Sequence, residues 1–278
     1  RDRRNGVVWE PGNYDGENHG RVPLYRALAH SYNVSTARLG LDLGIESIIE
    51  TLRRLGVEQQ LNPYPSLVLG AVEMSPLQVT RMYQTFAGGG FRTPLRSINA
   101  VLAADKTPLQ RYQLNVQSAI RPAPNYLINT AMRFAVREGT GRSIYPSMPA
   151  NQDVAGKTGT TDDLRDSWFA GFTGDRLGVV WIGRDDNKST GLTGSSGALR
   201  VWRDLFTQFN NPGWVQPAVE GVEYQWIDPG SGALADAGCQ NAVQLPFITG
   251  SGPVKQAACV KEKKALPDPV DWFKELFQ

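Results

Sequence analysis

Apolar positions recur at helical spacing through the first third of the chain, then change to strand spacing in the middle. Between Val22 and Leu55 the pattern predicts three helices. Pro23 opens the first, which runs to His30; the second spans Val34 to Leu43 with Gly44 behind it; the third runs from Ile45 to Leu55 and stops at Gly56. A Pro/Asn stretch from Leu61 to Ser66 separates these from Ser75-Pro76, a helix start whose helix runs to Phe86 and ends at Gly88-Gly89-Gly90. Phe91 to Val116 mixes β-branched residues with Thr-Pro pairs and predicts short strands and loops. Pro124 to Arg137 is helical again, up to Glu138-Gly139-Thr140-Gly141.

The period then shortens. Ser167 to Phe172 and Leu177 to Ile182 are short aromatic and β-branched runs joined by Thr173-Gly174-Asp175-Arg176, the pattern of a β-hairpin. A Gly/Ser/Thr loop, Ser189 to Gly197, leads into a helix whose Leu199, Trp202, Leu205, Phe206 and Phe209 are expected to face the core. After Asn211-Pro212-Gly213 the composition turns to Pro, Gly and scattered β formers. A domain covering 1–214 and a small β-rich extension covering 215–278 are therefore expected, with Lys261 to Lys264 on a solvated face. Helices on either side of a strand-rich middle, without regular βαβ alternation, predict an α+β fold with an antiparallel sheet.

Composition narrows the function classes. The 278 residues carry 29 Lys+Arg against 27 Asp+Glu, and a balance of +2 supplies no field for gripping nucleic acid. No apolar run approaches the roughly 18 residues of a membrane span, and the start, Arg1-Asp2-Arg3-Arg4, has neither an initiating Met nor a signal-peptide core. Part of a longer chain is expected. Cys239 and Cys259 stand at neither zinc-site nor redox-pair spacing, so no metal is expected. From spacing alone they are either two buried thiols or a bond closing a loop of about 20 residues.

Gly156-Lys157-Thr158-Gly159-Thr160 has three readings. A phosphate-cradling loop would need glycine where Asn151 stands and an apolar helix where Thr161-Asp162-Asp163 follows, so no nucleotide cofactor is expected. Read as a short strand, Lys157 to Thr160 puts Thr158 and Thr160 on one face, Lys157 opposite, and Gly159 where a second backbone can approach. Two hydroxyls and a nearby ammonium make a carboxylate receptor, and an unpaired strand N–H can point at a developing oxyanion. A polar turn with a solvated lysine is the plain alternative. Ser31-Tyr32-Asn33, at the joint between two helices, is open in the same way: Ser and Asn are ordinary N-cap residues, or a proton relay and an amide grip.

Lys-Thr-Gly and Ser-x-Asn, with Asn33 preceding Lys157 by 124 positions, are two of the three motifs of acyl-serine transpeptidases and serine β-lactamases. Longer stretches point the same way: Pro11-Gly12-Asn13-Tyr14-Asp15-Gly16, Ala27 to Asn33, Met74-Ser75-Pro76-Leu77-Gln78, Glu138 to Arg142, and Asp166 to Phe172. On these residues the chain resembles the transpeptidase domain of bifunctional, class A penicillin-binding proteins. The resemblance implies a penicillin-recognising fold, an antiparallel sheet covered by helices with a cleft between sheet edge and helical subdomain, here incomplete on its N-terminal side. It also implies an oxidising periplasm, which favours a Cys239–Cys259 bond.

The family's third motif, Ser-x-x-Lys, is absent: none of Lys106, Lys157, Lys188, Lys255, Lys261, Lys263, Lys264 and Lys274 has a serine three places before it. The resemblance puts that motif upstream of Ser-x-Asn, in polypeptide preceding Arg1, together with a glycosyltransferase domain and an inner-membrane anchor. It further implies that the upstream serine attacks a D-Ala-D-Ala stem peptide and that a neighbouring stem's amine takes the acyl group. Ser31 and Lys157 would tune the nucleophile's lysine, Asn33 would grip the substrate amide, and Thr158, Gly159 and Thr160 would bind the terminal carboxylate and supply an oxyanion N–H. β-Lactams would occupy the same site, and no cofactor is implied. Docking of activator or division proteins is left open. A hydrolase of the same fold and a non-catalytic wall-binding module are the alternatives; Ser-Tyr-Asn in place of the Ser-Asp-Asn usual in class A β-lactamases speaks against the first.

Overall fold

The structure, a computed structural model, describes residues 2–4, 7–149, 152–209 and 212–260, with side chains from residue 9 onward. The Lys261 to Lys264 run lies outside these. Two compact units divide the chain, Arg1–Val222 and Glu223–Gln278.

In the first unit β1 (Asp2–Arg4) and β2 (Val7–Trp9) form an antiparallel pair. A helical layer follows: α1 (Leu24–Ala29), α2 (Asn33–Leu43), α3 (Ile45–Arg54) and α4 (Pro76–Ala87). Gly44, at φ +86°, lets the chain turn directly from α2 into α3. Ser75 and Gln78 start α4 with reciprocal side-chain and backbone bonds, a capping box that satisfies two orphan N–H groups. Ile45, Ile49, Val57, Leu61 and Leu67 form this layer's own core. Two short antiparallel pairs come next, β3 (Phe91–Arg92) with β6 (Gln117–Ser118) and β4 (Ala100–Leu102) with β5 (Pro108–Arg111).

Helix α5 (Pro122–Arg137) precedes a three-stranded antiparallel sheet, β7 (Ala155–Thr160), β8 (Ser167–Phe172) and β9 (Leu177–Ile182), in the order β7-β8-β9; α6 (Ala198–Phe206) follows. The main core lies between α6 and the sheet. Trp202 stacks on Phe206 at 3.7 Å and meets Phe169 edge-on at 5.2 Å, and all three rings are buried. Gly178 is required there, since a Cβ would fall 2.6 Å from the Phe206 ring.

Three expectations need correction. Helix α5 begins at Pro122, ahead of Pro124, because proline fits the first helical turn, where its missing N–H costs nothing. Leu205 and Phe209 are 48% and 40% exposed, so the core stripe of α6 is only Leu199, Trp202 and Phe206. Their 3- and 4-residue steps keep one face, whereas Phe209 lies past the helix end, with the Arg176 guanidinium 4.9 Å from its ring. The division falls after Val222 and not near 214 because Trp214 packs on Phe172 and Met132, and Gln216 donates to the Tyr126 carbonyl.

The second unit holds β10 (Val222–Asp228), all but its first residue, between β11 (Ala233–Leu234) and β12 (Val243–Ile248). A Cys239–Cys259 disulfide, with Cα atoms 5.5 Å apart, ties its small alanine-rich core. Reduction is expected to destabilise this unit by about 3 kcal/mol, the loop-closure entropy of a bond across 20 residues. Thermal unfolding with and without reductant measures it; an unchanged transition would contradict the estimate.

Candidate active site

The chemistry gathers at the free edge of β7. Thr161 N–H donates to the carbonyl of its register partner Asp166, at 3.2 Å. Hydrogen-bonded and non-bonded pairs alternate along an antiparallel ladder, so the N–H and C=O groups of Ala155, Lys157 and Gly159 point at β8. Those of Gly156, Thr158 and Thr160 therefore face away from it. The next ladder agrees: Thr173 N–H donates to Arg176, which turns Ser167, Phe169 and Gly171 toward β9. Thr160 thus presents an N–H at an edge that no strand among the described residues covers.

Ser31 and Lys157 meet across this edge. Lys157 Nζ donates to Ser31 Oγ and to the Thr158 carbonyl, both at 3.0 Å. Burial pushes the Lys157 ammonium down to about 8, since its surroundings offer less solvation than water and no carboxylate is paired with it. At pH 7 it remains mostly charged. Ser31 has φ +58°, left-handed backbone that a non-glycine residue adopts only where its surroundings hold it. The turn is fastened by Ser31 N–H to Leu28 O and Tyr32 N–H to Ala27 O, and it aims the hydroxyl at the strand.

Neither Ser31 nor Asn33 caps a helix. Tyr32 occupies the cap position of α2 without a side-chain bond, and the cap comes from far along the chain: Asn13 Oδ1 accepts the Val34 N–H at 3.1 Å. Asn33 Nδ2 donates to the Gly12 carbonyl at 2.9 Å, which fixes the amide and leaves its oxygen able to accept. His19 stacks on Tyr32 at 3.9 Å and is bonded through Nε2 to Asp15. The loop 11–20 is therefore a brace for the Ser-Tyr-Asn turn.

Both threonine hydroxyls have protein partners. Thr158 Oγ lies 2.6 Å from Thr140 Oγ, and Thr160 Oγ accepts the Gly194 N–H at 2.9 Å. A hydroxyl that accepts still has its own proton to donate, so Thr160 keeps one donor and the Thr140–Thr158 pair shares one spare. Among the described residues no cluster of His, Cys, Asp or Glu is placed to hold a metal ion.

Thr140, Gly139, Gly12, Asn13 and Gly194 are the supporting residues to which sequence reasoning gave no role. Glu138 to Gly141 read as a helix stop, yet Thr140 N–H donates to Ala29 O, and the end of α5 holds the end of α1 two residues before Ser31. Gly139 allows this contact, since a Cβ there would lie 2.0 Å from the Ala29 carbonyl oxygen. Gly139→Ala is expected to cost about 1–3 kcal/mol by overpacking, read as a thermal midpoint lower by on the order of 5 °C. Gly12→Ala, whose Cβ meets nothing within 4 Å, should leave the midpoint unchanged. Equal midpoints for both variants would remove the proposed clamp.

Comparison with known proteins follows the same geometry. The family described as "Penicillin binding protein transpeptidase domain" matches residues 3–198. Penicillin-binding protein 1B of Vibrio cholerae is 39% identical over 276 residues, 98% of this chain and 34% of that protein. Its Escherichia coli counterpart is 40% identical over 228 residues, 79% of this chain and 27% of that protein. The crystal structure of penicillin-binding protein 1A from Haemophilus influenzae superposes with a TM-score of 0.83 at 23% identity, over 92% of this chain and 44% of that one, and so shares the fold. The chain spans about a third of the length of such relatives. With the motif pair facing across one strand edge and the family description covering most of the first unit, the chain belongs to the penicillin-binding protein transpeptidase domain family.

Proposed function

We propose that the chain is the C-terminal portion of a D,D-transpeptidase that cross-links peptidoglycan stem peptides through an acyl-serine. The parent protein would be a bifunctional synthase anchored in the inner membrane, with this domain in the periplasm. The observation that carries the reading is the Lys157 Nζ to Ser31 Oγ contact at 3.0 Å beside the uncovered edge of β7. The Cys239–Cys259 disulfide supports an oxidising compartment. None of the described helices is long and apolar enough to cross a membrane.

In this reading the nucleophile comes from a Ser-x-x-Lys segment of the same protein outside the present sequence. Its hydroxyl oxygen bonds to the penultimate D-alanine carbonyl carbon, and its proton passes to the deprotonated lysine of that motif. Lys157, positive and touching Ser31, disfavours a second positive charge nearby and so holds that lysine deprotonated. The tetrahedral oxyanion accepts the Thr160 N–H and that of the nucleophilic serine. Collapse breaks the peptide bond, and Ser31 relays a proton to the departing D-alanine amine. Thr158 and Thr160 hold the terminal carboxylate with their spare hydroxyl protons, Gly159 between them leaves room for Trp168 of β8, where a Cβ would fall 3.1 Å from the Trp168 Cβ, and Asn33 Oδ1 accepts from the peptide's amide. A neighbouring stem's amine then attacks the acyl carbon, loses its proton through Ser31, and releases the serine. A β-lactam carboxylate and amide fit the same groups.

The test uses the full-length protein, incubated with fluorescent penicillin and separately with donor and acceptor stem peptides. A covalent label together with cross-linked dimer is expected. Label with hydrolysed tetrapeptide alone would make the protein a carboxypeptidase or β-lactamase, and no label would leave a wall-binding module.

A further inference from the structure

Beside Thr140 the first unit opens into a depression of about 450 Å³, lined by His30, Glu138, Thr140, Arg142, Ser143 and Arg200 among others. We propose that it is a second carboxylate subsite, taking an acidic group of the stem peptide other than its C-terminus; the inference rests on the transpeptidase reading and names its substrate class.

The depression continues the proposed active groove. Thr140 forms part of its wall and bonds through Oγ to Thr158 Oγ at 2.6 Å, and His30 immediately precedes Ser31. A peptide lying as an extra strand on the free edge of β7 sends alternate side chains to the two sides of that edge. The Thr140–Thr158 contact joins the wall of the depression to that edge, and the chemistry of the wall selects which side chain it would take.

Arg142 and Arg200 enter it from different elements, the turn after α5 and the first turn of α6, and neither makes an ion pair among the described residues. Arg133 and Arg137 of α5, by contrast, share the carboxylate of Asp153. Burial, and after it the nearby Arg26, holds the His30 imidazole below its ordinary value, so the positive charge of the wall comes from the two guanidiniums. Ser143 adds a hydroxyl to the same wall. A guanidinium fork binds a carboxylate through two parallel hydrogen bonds, which an amide of the same shape cannot reproduce. Glu138 is the one carboxylate among the described residues of the lining. It weakens an anion at the rim and provides a variant whose effect has the opposite sign.

The test compares full-length protein with stem peptides whose non-terminal carboxylate is free or amidated, the amide being placed on the donor in one series and on the acceptor in the other. Wild type is expected to prefer the free acid by about tenfold in kcat/KM, for the strand that occupies the subsite. In the Arg142→Gln/Arg200→Gln double variant that ratio should fall to about one, and in Glu138→Gln it should rise by about twofold. Fluorescent penicillin labelling, measured on every variant, reports the acylating machinery separately. Labelled protein with an unchanged ratio in the double variant overturns the subsite and leaves the transpeptidase reading intact. Failure of wild type to label or cross-link overturns both. Should the double variant fail to fold, the Glu138→Gln ratio decides: a rise supports the subsite, and no change removes it.

Discussion

Replacing Lys157 by methionine is expected to lower penicillin acylation and cross-linking by roughly 10²–10⁴-fold, the loss typical of removing a group that sets proton positions in a reaction. The side chain's stem can be replaced by apolar atoms, so the fold should stand. Only the ammonium is lost, and with it the bond to Ser31 Oγ and the positive charge that disfavours protonation of the nucleophile's lysine. The pH dependence has a definite sign. Burial lowers Lys157 from 10.5 to about 8 in the folded protein, so its charged form is the costly one. Below pH 8 both folded and unfolded chains hold the proton, and the full cost is present. Between pH 8 and 10.5 the folded chain releases it first, so the stability of wild type relative to Lys157→Met should rise through that window. Acylation should fall as the pH rises through about 8, where the folded groove loses its charge. Denaturant unfolding and second-order acylation rates at a series of pH values measure both, and a pH-independent difference in stability would contradict the burial of a charged lysine.

Thr160→Pro and Thr160→Val separate the two contributions of one residue. Proline removes the N–H that faces away from β8 together with the hydroxyl, whereas valine removes the hydroxyl alone, so the difference between the two variants reports the N–H; an edge strand tolerates proline where its N–H makes no ladder bond. The expected result is a folded protein whose acylation rate is lower than that of Thr160→Val by about 10²–10³-fold, the cost of one oxyanion donor in other enzymes. Valine keeps the N–H and removes the hydroxyl that accepts from Gly194, so its loss should fall mainly on carboxylate recognition and appear in KM. Acylation rates with a saturating and a limiting β-lactam distinguish the two. Equal loss of the rate constant in both variants would mean that the N–H has no part in the chemistry.

Local chemistry made most of the elements legible. Proline and glycine punctuate α1 to α5, and the change to strand period marks β8 and β9, because caps and periodicity are properties of neighbouring residues. From the residues alone Lys157 and Ser31 were legible as two separate motifs with ordinary alternatives, and the family resemblance joined them in one cleft. Their 3.0 Å contact depends on Gly139 seating α5 against the Ala29 carbonyl, and no spacing rule reports a backbone approach between distant segments. The Asn13 cap on α2 was hidden for the same reason, coming from a loop 21 positions earlier. Leu205 and Phe209 misled because apolarity alone says neither which helix face is covered nor where a helix ends.

A crystal structure of the full-length protein acylated by penicillin would test the central geometry most directly. The acyl carbonyl oxygen is expected within about 3 Å of the Thr160 N, with the antibiotic's carboxylate against the Thr158 and Thr160 hydroxyls and Lys157 Nζ still on Ser31. An adduct whose carbonyl oxygen is turned away from the edge of β7, with Lys157 and Ser31 apart, would contradict it.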